Sequence, residues 1–213
     1  MLLPLSFAIF FGSLVIAAAI YFRGRPFDVR DAIISDLESP EDNPRGYAIA
    51  AVGTALCGIL LLPAARFFYM QLREMRRRLA FAGTVLFVAG LASAITMALL
   101  APFTRDYTPL HVQLAFGAFM GICSGSLIDL IVLATTQHDS SKLRVKIVLD
   151  CSVFAFLLYF YFTPHFFDNR HVLTSLAFWE WLLCFNCVAS IAMLAATCNA
   201  PPEVISQASS AAL

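Results

Sequence analysis

Charge is what this sequence has least of. Only 13% of its 213 residues are Asp, Glu, Lys or Arg, against about 25% in soluble domains. Hydrophobic residues make up 60%, and mean hydropathy is +0.80. So few charges cannot solvate the outside of a soluble domain, and the composition points to an integral membrane protein. The formal net charge is zero, so no basic field attracts nucleic acid. Catalytic and metal signatures are missing too: there is no H-x-x-x-H, no H-E-x-x-H and no nucleophile elbow. No cofactor is implied. Cysteine is absent from the polar loops. Cys57, Cys123, Cys151, Cys184 and Cys187 lie inside apolar runs and Cys198 ends the last one, which argues against a disulfide framework. The C-x-x-C of Cys184 and Cys187 lacks the strand-to-helix setting of a redox motif and reads as small apolar packing.

What is present is a series of long uncharged runs. A bilayer core of about 30 Å takes about 20 apolar residues per helix. The runs predict an all-α, polytopic membrane protein: a single bundle of six transmembrane helices over residues 1–198. Its spans fall at about 3–22, 47–66, 80–101, 110–133, 147–164 and 172–197. Residues 199–213, "NAPPEVISQASSAAL", read as a flexible cytoplasmic tail. The first run has no Lys or Arg before it and is too long for a signal-peptide core, so it reads as a membrane helix. Lys and Arg of short loops set orientation. Loops two and four carry eight of them; loops one, three and five carry six, and in loop one six acids accompany the four arginines. Both termini are therefore expected in the cytoplasm, with loops one, three and five outside. The cluster Arg73, Arg76, Arg77 and Arg78 fixes this topology and suits anionic lipid headgroups.

The acidic stretch "IISDLESPEDNPRGY" (33–47) interrupts the hydrocarbon. Its second half contains two tandem helix starts. Ser39 and Asn43 are N-caps, Pro40 and Pro44 occupy first-turn positions, and Glu41 and Asp42 suit a helix N-terminus. Capping does not explain Ile34, Ser35 and Asp36. There an apolar patch of Ile33, Ile34 and Leu37 re-enters the membrane surface and carries Asp36 with it.

Ionisable residues in spans are costly and face the bundle interior. His111 opens the fourth span and Asp129 closes it, eighteen residues apart, so they share a face about 27 Å apart. Asp150 opens the fifth span. Glu180 lies about 12 Å into the sixth. Asp36, His111 and Glu180, with His165 and His171, leave three readings open. They are a metal or acid/base site, a hydrogen-bonded structural network with Ser35 and Trp181, or independent interfacial residues. Asp129 and Asp150 are expected to pair with Lys142, Arg144 or Lys146. Gly117, Gly121 and Gly125 recur every four residues. That stripe lets another backbone approach closely, at the bundle centre or across a homodimer.

Three segments, "IISDLESPEDNPRG", "PLHVQLAFG" and "AFWEW", together with six spans, resemble the Frag/DRAM/Sfk family of membrane proteins. A related-looking bacterial family has a similar Ile-Ser-Asp/Glu-Leu loop. The resemblance implies a functional or structural role for Ile34, Ser35, Asp36, Glu180 and Trp181. Leu37-Glu38 replaces the usual Thr-Gly, which favours a prokaryotic branch and a bacterial inner membrane. Three functions are expected, in this order. The first is a protein that organises membrane lipids or partner proteins without catalytic machinery. The second is a lipid-modifying enzyme of hydrolase or acyl-transfer type using Asp36, His111 and Glu180. The third is a small transporter.

Overall fold

The computed structural model describes residues 2–28, 30–31, 33–103, 109–136, 141–162 and 171–199. Their regular structure is helical, with no strand among them. They form α1 (Leu3–Tyr21), α2 (Ile34–Leu37), α3 (Tyr47–Leu100), α4 (Pro109–Thr136), α5 (Ser141–Phe162) and α6 (Leu176–Cys198). Four of these, α1, α3, α4 and α6, are long and apolar enough to cross a membrane. The predicted tail beyond residue 199 and His165 lie outside the described residues.

Helix α1 tracks the first apolar run almost residue for residue, and the chain leaves it through Gly24 at φ +83°. Helix α3 differs from expectation. Spans two and three are not separated by a loop; both lie inside one 54-residue element. As one rod it would measure about 80 Å, far beyond a bilayer core. It breaks at Arg76, whose φ of −146° and ψ of 79° are non-helical, and its two arms run antiparallel. Ala51 and Ala55 pack with Ala98 and Ala101, and Gly58 faces Ile95. Phe68 meets Phe87 at 6.3 Å and Tyr69 meets Phe81 at 6.5 Å, edge to face. The reversal is this tight because Gln71 to Ala80 are good helix formers without Gly or Pro, so helix persists to both sides of a single residue. Arg73, Arg76, Arg77 and Arg78 are all exposed at this corner.

Helix α5 starts at Ser141, six residues before the predicted fifth span. It carries Lys142, Arg144, Lys146 and Asp150 in its first half and is not among the four helices long and apolar enough to cross a membrane. Before α6 comes a 3-10 turn, Val172–Thr174. Ser175 then caps the helix, its hydroxyl accepting from the Phe178 amide at 3.3 Å.

The glycine stripe of α4 is filled from within the chain. A Cβ on Gly121 would stand 2.6 Å from Gly90 Cα, and one on Gly125 would stand 2.6 Å from Phe87 N. Gly117 faces Ser93. The backbones of α4 and the second arm of α3 therefore touch, as small-residue stripes permit. Helix α4 also packs on α5 and α6, and α1 packs on α3.

Candidate functional site

The loop-one end of the bundle is closed by its own backbone. Ile34, Ser35 and Leu37 are buried, and Leu37 packs with Leu14, Ala17 and Ala50 of α1 and α3. The apolar patch thus enters the bundle as one helical turn. Its first amide is held by the acid of α6: Ile34 N–H donates to Glu180 Oε2 at 2.7 Å. Two motifs 146 residues apart meet here. Asp36 is half-buried on the same turn, and Trp181 packs against this cluster, its ring 6.1 Å from that of Phe185.

The predicted caps divide. Ser39 does accept from the amides of Glu41 and Asp42, each at 3.1 Å, but the chain beyond it makes a hydrogen-bonded turn, not a helix. Asn43 explains this. Its Oδ1 accepts from Gly46 N–H at 3.2 Å, just before α3. Its amide nitrogen donates to the carbonyls of Ala17 and Leu37, both at 3.2 Å. One buried asparagine ties α1, α2 and α3 together, so the chain cannot continue the Ser39 turn as a separate helix. Farther out, Arg30 holds the Asp28 carboxylate at 2.5 Å and lowers its pKa to about 2.

Glu38, to which neither capping nor helix periodicity draws attention, is the most buried acid of the loop at 4% exposure. Its Oε1 accepts from the Thr54 hydroxyl. A threonine alone in an apolar span was the available signal. Glu38 and Thr54 are among the residues lining a cavity of about 110 Å³ between α1, α3, α4 and α6. The remaining lining is aliphatic, aromatic or thiol, including Phe10, Leu61, Leu91, Phe119 and Ile191. From Thr54 to Leu61, or Cys184 to Ile191, the lining spans about 10 Å along a helix.

His111 is buried in the first turn of α4. Among the described residues no group of three or more His, Cys, Asp and Glu side chains could hold a metal ion, so His111 does not complete a three-ligand set with Asp36 and Glu180. His171 is exposed.

Toward the arginine corner, the expected ion pairing is met at Asp150 and not at Asp129. Lys146 and Asp150 pair one turn apart, both buried. The Lys146 ammonium also donates to Asn186 Oδ1 at 2.9 Å and Ser190 Oγ at 2.6 Å. Asp150 accepts from Asn186 Nδ2 at 2.6 Å and Ser190 Oγ at 3.0 Å. Asn186 and Ser190 are four apart on α6, a spacing readable in sequence, but their partner lay on another helix. This island borders a second cavity of about 30 Å³ that Cys123, Ser124 and Phe154 help to line. Asp129 instead packs against Gly83, and its Oδ1 is buried without a hydrogen-bond partner among the described residues.

Compared with known protein families, curated proteins and solved structures, the chain matches none.

Proposed function

We propose that this chain is a six-span membrane protein whose bundle holds a short apolar segment of a membrane lipid, with the lipid's polar end on the Glu38–Thr54 side. The observation that carries this reading is the cavity: about 110 Å³, of the order of engineered apolar cavities that stay dry and bind benzene. Its one carboxylate lies at the loop-one end. The six spans are α1, the two arms of α3, α4, α5 and α6. Both termini and the arginine corner face the cytoplasm, where Arg73, Arg76, Arg77 and Arg78 meet anionic headgroups. Loops one, three and five, and with them the Glu38–Thr54 side, lie outside.

Glu180 acts as a latch on α2, because its Oε2 is engaged by the Ile34 amide. Membership of the Frag/DRAM/Sfk group, and of a bacterial branch of it, is part of the proposal. Its support is that the Ile34-Ser35-Asp36 turn and the Glu180-Trp181 pair, which carry the resemblance, are neighbours in space.

Native mass spectrometry tests the reading. The chain extracted in mild detergent is expected to retain about one lipid. Ala94→Trp and Ala115→Phe, which fill the cavity from two different helices, are expected to lose it. A chain that emerges lipid-free, or two folded filling variants that keep the lipid, contradicts the proposal.

A further inference from the structure

Three of the six cysteines stand at the wall of the apolar cavity, and a fourth touches one of them. Cys57, Cys184 and Cys187 line the apolar cavity. The fourth, Cys123 of α4, lies with its Sγ 3.0 Å from Cys187 Sγ of α6. No disulfide joins the two. Their separation is about 1 Å more than an S–S bond of about 2.05 Å, and Cys187 is 7% exposed. Cys123 borders the second cavity, which Asp150 also lines, whereas Cys187 borders the larger apolar one. The pair thus has one thiol on each cavity's lining and is a point where α4 and α6 touch through sulfur.

We propose that Cys123 and Cys187 are an oxidisable pair, closed into a disulfide by a lipid-soluble quinone that enters the apolar cavity. The chemistry balances with the quinone as oxidant. The two S–H bonds break, one S–S bond forms, and the two electrons and two protons pass to the quinone, leaving a quinol. A membrane-phase oxidant fits the location. These thiols sit among apolar side chains, a phase into which an apolar oxidant partitions and a water-soluble one does not, and the cavity is of the order needed to admit an aromatic ring. Cys184 lies one turn from Cys187 on the same wall and takes no part in the bond. The inference shares its cavity with the lipid-holding reading but not the Glu38–Thr54 side. Quinone and lipid compete for that space, and the two readings are told apart by separate signals, thiols lost in one assay and lipid retained in the other.

The full chain in lipid nanodiscs is incubated with a decyl-substituted benzoquinone. Quinol is monitored by absorbance and thiols by mass spectrometry. The expected result is about one quinol per chain, two thiols lost, and a crosslink between the peptides bearing Cys123 and Cys187. Cys123→Ser and Cys187→Ser are each expected to abolish both products, and Cys151→Ser, exposed on α5 and outside both cavities, to leave them intact. Six thiols remaining in the unsubstituted chain overturns the proposal, as does a crosslink between any other pair. A crosslink made by a water-soluble oxidant but not by the quinone overturns it equally. The unsubstituted chain alone gives the decisive result, even where a variant fails to fold.

Discussion

Replacing Glu180 by leucine removes the acceptor of the Ile34 amide and leaves the shape of the α6 face nearly intact. Ile34 is 6% exposed and Leu37 is fully buried, so water cannot replace the lost acceptor while α2 stays seated. A buried donor left unsatisfied costs about 1–3 kcal/mol. At 1.4 kcal/mol per tenfold change, the opening of α2 becomes about 5- to about 150-fold more frequent. Hydrogen exchange of a peptide spanning Ile34 to Leu37, measured by mass spectrometry in detergent, reads that opening directly. Glu180→Gln keeps an oxygen acceptor and is expected to shift exchange by less than the leucine variant. Unchanged protection in Glu180→Leu refutes the latch, and so does a glutamine variant as mobile as the leucine one.

Other expectations concern packing and charge. Gly121→Ala places a Cβ 2.6 Å from Gly90 backbone atoms and is expected to destabilise the bundle by about 1–3 kcal/mol. Gly12→Ala, with nothing within 4 Å, is expected to be neutral or stabilising by up to about 1 kcal/mol; unfolding in mixed detergent compares the two. Lys146→Met leaves a buried carboxylate without its cation and is expected to cost about 3–5 kcal/mol, while the double change with Asp150→Leu recovers most of it. In loop one, Asp28 titrates at about 2 instead of 3.8. Because this pKa is depressed, the pairing with Arg30 persists above 3.8 and is lost as pH falls through about 2. Arg30→Ala is expected to return the carboxyl toward 3.8 in a carbon-detected NMR titration.

The single-helix runs were legible because the bilayer imposes one length on an uncharged stretch, and α1 and α4 track their runs closely. The stripe of Gly117, Gly121 and Gly125 signalled close packing; its partner, Gly90 with Gly83, became visible only once α3 folded back. That fold-back was illegible for a physical reason. The arginines that mark a loop for topology are also good helix formers, so the loop shrank to Arg76. At Ser39 the local capping signal was correct and its continuation was not, because Asn43 is committed to three helices at once. Lys146 and Asp150 were readable as neighbours on one helix, whereas Asn186 and Ser190 join them by tertiary packing. The cavity left no mark in sequence beyond Thr54, since its walls are the same apolar residues that face lipid elsewhere.

The most direct test of the account is photo-crosslinking with a phospholipid carrying a diazirine within one acyl chain. The account predicts adducts on the cavity walls, at residues such as Phe10, Leu91, Phe119 and Ile191, and loss of those adducts in Ala94→Trp. Adducts confined to the outer faces of the helices, at exposed residues such as Val15, Phe81 and Val85, contradict it.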